Sequence, residues 1–260
     1  MKITSLLENT TCRSDMQTEH GLSLYIETDE HRILFDMGQT DLFAQNAKTL
    51  GIDLTAVDIA VLSHGHYDHG GGLRTFLSIN DHAPVYVHCD AFLPHYNGTE
   101  KYIGLDPELQ AHPRLSFTDD VCTIDDTLTL FSCNQKKREH SFGAFGLTER
   151  VGTAFHEDDF RHEQYLLIEE VGKRVLISGC SHKGILDLAA WFSPDVLVGG
   201  FHFSKLEVGA VLADAAGQLA AHPTQYYTCH CTGEMQYTFM KQSMPNLHYL
   251  SCGETLVYPA

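Results

Sequence analysis

The chain has 260 residues, of which 43% are apolar, 10% aromatic and 20% charged, the profile of an ordinary globular protein, which excludes disorder, coiled coil and collagen. Lys and Arg total 17 against 34 Asp and Glu, a formal charge of -17, so the chain lacks the electrostatic footprint of a nucleic-acid binder and no nucleic-acid partner is expected. A chain of this length buries roughly three quarters of the surface its unfolded form exposes, so any metal it carries reads as functional rather than as a staple.

The segment Met1 to Thr10 has no apolar stretch of signal-peptide type, and no uncharged apolar run is long enough to span a bilayer. A cytoplasmic protein with no membrane partner is expected. In that setting the eight cysteines read as reduced thiols without disulfides, with Cys12, Cys89, Cys122, Cys133 and Cys252 packed. Lys136-Lys137-Arg138 reads as a solvated loop and Trp191 as core. No linker or composition break divides the chain, so residues 1–260 are read as a single domain.

In chain order, Gly21 to Thr28 and His31 to Asp36 alternate large apolar and polar residues around Asp29-Glu30, which predicts a hairpin. Asp58 to Leu62 is a short apolar run of the kind buried on both faces, followed by Leu73, Phe76 and Leu77 at helical spacing, and Pro84 to His88 predicts another strand. Between about Cys89 and His162, Pro94, Pro107 and Pro113 argue for loops and irregular strands that face a substrate. Strand then helix recurs afterwards: Arg174 to Ser178 with Gly184 to Phe192, Asp195 to Val198 with Ser204 to Ala221, and Gln225 to Cys229 with Glu234 to Met244. This pattern predicts an α/β fold of mixed sheets with helices on their faces.

Four of these strands run into small-residue turns that carry histidine: Ser63-His64-Gly65-His66, Gly179-Cys180-Ser181-His182, Gly199-Gly200-Phe201-His202 and Cys229-His230-Cys231. Ligands of open α/β sheets bind outside the carboxyl ends of the strands, so these turns can converge on one rim. The first is the sharpest, because His64, His66, Asp68 and His69 form H-x-H-x-D-H, the imidazole and carboxylate donor set of zinc, iron or manganese. A catalytic zinc takes three protein ligands and keeps a position open, so four donors in one loop begin two sites rather than complete one.

At these residues the sequence resembles the metallo-β-lactamase superfamily, along essentially the whole chain. The order Gly21-Leu22-Ser23-Leu24, Ile33-Leu34-Phe35-Asp36-Met37-Gly38, then Leu62 to His69 and Gly70-Gly71 carries the likeness. It implies an αββα sandwich, two mixed sheets packed face to face with helices on both outer faces. Within the superfamily, Gly179-Cys180-Ser181-His182 and His230-Cys231-Thr232-Gly233 look like the dihydropterin ribofuranosylaminobenzene phosphate synthase subgroup.

The resemblance implies two divalent transition-metal ions, zinc first, with iron or manganese as alternatives. His64 and His66, with His182 added, would hold the first metal, and Asp68, His69 and His230 the second. Many members place a bridging aspartate where Cys180 stands, so bridging falls to water alone or to the Cys180 thiolate. Asp36 would support the metal loop from behind. The function expected is a dinuclear hydrolase in which a metal-activated hydroxide attacks a phosphate ester, a phosphodiester or a related pterin-type small molecule. Asp68 would orient that hydroxide, and His202 would donate a hydrogen bond to the substrate or protonate the leaving group. The alternatives are a non-catalytic metal-binding member and a redox di-iron member, and a homodimer is plausible by family habit alone.

Overall fold

A computed structural model describes residues 1–258. The amino-terminal part lays down β1 (Lys2–Leu7), β2 (Ser23–Glu27), β3 (Arg32–Phe35), α1 (Leu42–Thr49), β4 (Ile59–Val61), α2 (Tyr67–Gly70), α3 (Leu73–Ile79) and β5 (Val85–His88). The β2–β3 hairpin is antiparallel with Leu24 opposite Phe35, while β3, β4 and β5 run parallel. The middle part supplies β6 (His95–Asn97), β7 (Lys101–Tyr102), β8 (Leu115–Thr118), β9 (Val121–Thr123), β10 (Leu128–Phe131), β11 (Leu147–Val151) and β12 (Ala154–Glu157). The remainder forms β13 (Tyr165–Glu170), β14 (Lys173–Ile177), α4 (Ile185–Phe192), β15 (Val196–Val198), α5 (Ala210–Ala220), β16 (Gln225–Thr228), α6 (Glu234–Lys241), β17 (Leu247–Tyr249) and β18 (Thr255–Val257).

These strands build two seven-stranded mixed sheets, ordered β18-β1-β2-β3-β4-β5-β8 and β17-β16-β15-β14-β13-β10-β9. The side-chain period of two sorts their faces. In β2, β3, β14 and β15 the residues Leu24, Ile26, Ile33, Phe35, Val175, Ile177, Val196 and Val198 meet in one core between the sheets. The intervening Tyr25 and Leu34 face outward into a cluster with Phe43 of α1 and Phe76 of α3. Leu176 and Leu197 face the other way, into a cluster with Leu188 of α4, Leu212 of α5 and Met240 of α6. Helix, sheet, sheet, helix is therefore the order of layers, the sandwich that the sequence implies.

Three expectations need correction. The middle segment is more regular than its prolines suggest, since β6, β7, β11 and β12 form a third, four-stranded sheet, ordered β12-β11-β6-β7. Helix α5 begins at Ala210 rather than Ser204, because the Gln236 side chain donates to the carbonyls of Ser204 and Leu206, which a helix would need for itself. Cys12 and Cys89 are exposed rather than packed, whereas Cys133 and Cys252 are buried; all eight cysteines are free thiols. Trp191 packs partly buried on the outer core, and Lys136 and Lys137 are exposed. No helix among the described residues is long and apolar enough to cross a membrane.

Candidate metal centre

β3 and β4 run parallel in one sheet, and β14, β15 and β16 run parallel in the other, so their carboxyl ends reach one rim of the sandwich. Asp36 follows β3, His64 follows β4, Cys180 and His182 follow β14, His202 follows β15 and His230 follows β16. The turns that hold them are tight. Gly65 has the backbone of Ala91 so near that a Cβ would come within 2.1 Å of its carbonyl oxygen, and a Cβ on Gly200 would come within 2.3 Å of Cys231 Sγ. Asp36, His202 and His230 carry positive φ of 60°, 54° and 49°, a strain seen at sites where side-chain direction matters.

Hydrogen bonds behind the imidazoles fix which ring nitrogens are free. The Ser63 hydroxyl donates its one proton to Asp36 Oδ2 at 2.7 Å, so its contact of 2.8 Å with His64 Nδ1 has the ring as donor. His64 Nε2 is then a bare lone pair, and it is buried with no partner. His69 Nδ1 donates to Asp36 Oδ2 at 2.7 Å and His230 Nδ1 donates to Asn9 Oδ1 at 2.8 Å. The Nε2 lone pairs of His69 and His230 consequently face each other across 3.2 Å, a repulsive arrangement unless a cation or proton sits with them. Cys180 Sγ lies 3.2 Å from His69 Nε2, and Asp68 Oδ2 lies 3.5 Å from His230 Nε2 and 4.0 Å from His69 Nε2. Ligand edges of a tetrahedral site with bonds near 2.0–2.3 Å are about 3.3–3.7 Å, so these separations fit one metal.

A second group, His64, His66 and His182, brings its ligand atoms within 4.8 Å of one another. Its ring centroids stand 4.6 to 5.0 Å apart, and both nitrogens of His182 are buried without partners while its ring stacks on Phe160 at 4.4 Å. The two groups adjoin, with the His64 and His69 rings 4.1 Å apart. These orphaned donors fit metal ions. Every residue singled out from the sequence, His64, His66, Asp68, His69, Cys180, His182, His202 and His230, with Asp36 behind, comes to this rim.

Electrostatics point the same way. Burial opposes charge on His69, but the carboxylates of Asp36 and Asp68 outweigh it and raise the imidazole to about 9, which states that the site favours a cation. Burial likewise opposes the Asp68 carboxylate, and the imidazoles of His69, His20 and His230 outweigh it and hold its carboxyl well below the usual range. For His64 and His182 burial dominates and pushes both well below their ordinary value, so both are neutral and available as donors. Burial pushes the Cys180 thiol up.

Several residues of the site escaped the sequence reading. His20, from the loop after β1, places Nε2 at 3.2 Å from Asp68 Oδ2. Glu8 at the end of β1 accepts the backbone N–H of His230 at 3.0 Å. Cys231 did not escape it, since the sequence places it beside His230 as a possible ligand; its thiol donates to the Cys180 carbonyl at 3.5 Å and it groups with Cys180 and His202. His95, Asp158 and His162 from the middle segment gather behind His66. A cavity of about 190 Å³ opens over the rim, and its outer wall holds Asn97, Lys101, Ser204 and Lys205. Lys101 Nζ donates to Tyr67 Oη at 3.3 Å and Lys205 Nζ to the Phe145 carbonyl at 2.9 Å, which keeps both ammonium groups at the mouth.

The comparisons agree with this architecture. The chain is 30% identical over 247 residues to an uncharacterized protein of Methanocaldococcus jannaschii, covering 91% of this chain and 93% of that one. It is 25% identical over 273 residues, covering 94% and 92%, to the 7,8-dihydropterin-6-methyl-4-(beta-D-ribofuranosyl)-aminobenzene-5'-phosphate synthase of the same organism. The crystal structure of Tm1679, described as a metal-dependent hydrolase of the beta-lactamase superfamily, superposes with a TM-score of 0.83 at 27% identity, covering 99% of this chain and 98% of that one. A family model for the metallo-beta-lactamase superfamily matches residues 17–217, and with the sandwich and its histidine rim on the page, the chain belongs to that superfamily.

Proposed function

We propose that this protein is a dinuclear metal-dependent hydrolase of small phosphate-bearing molecules, phosphate esters or phosphodiesters. The observation that carries the reading is the pair of adjoining donor groups: His64 with His66 and His182, where buried ring nitrogens have no partner, and Asp68 with His69, His230 and Cys180, where the His69 and His230 Nε2 lone pairs face each other. Zinc fits the imidazole, carboxylate and thiolate mixture, and iron and manganese are the alternatives. Divalent ions held by these residues would supply Lewis acidity for activating water and for neutralising charge on the phosphoryl oxygens.

The chain's own residues do the rest. Asp68, kept ionised by three imidazoles, accepts a hydrogen bond from the attacking water and orients it. His202 lines the cavity with both ring nitrogens unpartnered, and donates a proton to the leaving oxygen. Lys101 and Lys205 place two positive charges at the mouth of a cavity in a chain whose net charge is -17, which supports an anionic substrate. The phosphate in the name of the Methanocaldococcus relative supports the same substrate class.

The test is turnover of bis-p-nitrophenyl phosphate by the metal-loaded protein and by its His64→Ala variant, with a lactone and a carboxylic ester as comparison substrates. Phosphodiester turnover that vanishes in the variant is expected. No phosphodiester turnover in the loaded wild type, or preference for the lactone or ester, overturns the substrate class.

A further inference from the structure

Beside His66 lie three buried residues that the proposed reaction does not use: His95 in β6, and Asp158 and His162 in the turn after β12. Asp158 Oδ2 is within 3.0 Å of His95 Nδ1, 3.3 Å of His162 Nε2 and 3.9 Å of His66 Nε2. Asp158 Oδ1 is already engaged by the Phe160 backbone N–H at 2.8 Å. Three histidines and an aspartate with these separations have the donor types of a further metal site.

The hydrogen bonding excludes that reading. His162 Nδ1 accepts the backbone N–H of Gly65 at 2.9 Å, so the ring's proton is on Nε2, and Nε2–H points at Asp158. A nitrogen carrying a proton is not a ligand. The chain of bonds runs instead from the Gly65 peptide through His162 to Asp158, with His95 donating to the same oxygen from the other side. His66 Nε2 is buried without a hydrogen-bond partner, and the Asp158 carboxylate faces it at 3.9 Å, an electrostatic contact longer than a hydrogen bond that favours a proton on Nε2.

We infer that Asp158, locked in place by His95 and His162, is a positioning residue that holds His66 as the Nε2–H tautomer and turns its Nδ1 toward the His64–His182 group. The inference rests on the metal-centre reading of His66. Each donor group then has a carboxylate behind it: Asp36 after β3 stands behind His69 directly and behind His64 through the Ser63 hydroxyl, and Asp158, delivered by the middle segment, faces His66 while His162 anchors the adjoining Gly65 peptide. A ligating histidine whose other ring nitrogen faces a carboxylate is held in direction and made more basic, and loss of such a support costs about 10–100-fold in metal affinity.

Cobalt titration of metal-stripped full-length protein tests this, with Asp158→Asn, Asp36→Asn, His95→Gln, His64→Ala and His69→Ala beside wild type. Two equivalents are expected in wild type. Asp158→Asn should weaken by about 10–100-fold the same equivalent that His64→Ala abolishes and leave intact the one that His69→Ala abolishes, whereas Asp36→Asn, which supports His69 directly and His64 through Ser63, should weaken both. Because Asp158→Asn can misfold, the ring nitrogens of wild-type His66 are also read by long-range proton–nitrogen NMR of the zinc-loaded protein, where a protonated Nε2 and a ligated Nδ1 are expected. Wild-type cobalt affinity in a folded Asp158→Asn, or a His66 ring protonated on Nδ1, overturns the inference while leaving the metal centre standing. A third equivalent that His95→Gln removes overturns it in favour of a further metal site. A wild type that binds no cation overturns the metal centre and the inference together.

Discussion

Gly65 sits between His64 and His66, and its replacement by alanine probes the rim without touching a donor atom. The added Cβ would stand 2.1 Å from the Ala91 carbonyl oxygen and 2.9 Å from its carbon, both backbone atoms. A comfortable carbon–oxygen contact is about 3.3 Å, so backbone must yield by about 1.2 Å. Neither side gives easily: the Gly65 N–H is bonded to His162, Tyr67 N–H to the Ile103 carbonyl at 2.8 Å, and Ala91 is buried in the outer core with its N–H on the His88 carbonyl at 2.9 Å. Overpacking of this kind costs about 2 kcal/mol, which in a chain this size lowers the melting temperature by about 4–8 °C. Misplacing the His64 and His66 rings by about 1 Å also costs about 100-fold in turnover. Thermal melts of the metal-free protein and cobalt affinity read the two effects separately. Gly217→Ala in α5, where a Cβ meets nothing within 4 Å, is the control and should gain about 0.5–1 kcal/mol. Gly65→Ala melting within 1 °C of wild type, with unchanged cobalt affinity, would refute the reasoning.

Lys101→Ala and Lys205→Ala should each raise KM for a phosphodiester several-fold with kcat nearly kept, and should reduce its salt dependence; unchanged KM in both contradicts the anionic-substrate reading. Cobalt-loaded wild type should show a near-ultraviolet thiolate charge-transfer band that Cys180→Ser loses, and a band that persists at full strength assigns the thiolate elsewhere. Asp125 caps a turn by accepting from the Thr127 and Leu128 N–H groups and the Thr127 hydroxyl, with His31 beside it. Burial opposes its charge, but these bonds outweigh it and lower the carboxyl below its ordinary value. A depressed carboxylate contributes stability above its unfolded value of about 3.9 and loses it as pH falls through the folded one, so Asp125→Asn, which keeps the acceptor oxygen and removes only the charge, should destabilise the protein at neutral pH and progressively less at acid pH. Denaturant melts at neutral and at acid pH check this, and a pH-independent difference would contradict it.

The strand-end histidines were legible because each follows a short buried strand and a small-residue turn, a local pattern that fixes both position and direction. The residues behind them were not. His95 and Asp158 meet at 3.0 Å across 63 residues of sequence, in a segment whose strands are two to five residues long, too short for periodicity to register. Asp158 and His162 do stand four apart, but they lie in a turn rather than on a helix, so that spacing alone carries no signal. His20 came from a loop without regular structure, and a backbone bond from Leu22 N–H to the Asp68 carbonyl, between segments 46 residues apart, brings it to Asp68. The start of α5 failed for a related reason. Ser204 to Gly209 has helix-compatible composition, yet Gln236 and the Phe145 carbonyl recruit its polar groups, so tertiary contacts override local preference.

The central claim is that the rim holds two cations on two separable donor groups. Elemental analysis of the metal-loaded protein after removal of free ions, carried out on wild type, His64→Ala and His69→Ala in parallel, tests it most directly. The account predicts two equivalents in wild type and one in each variant. A wild type with no bound transition metal, or variants that each keep both equivalents, would contradict it.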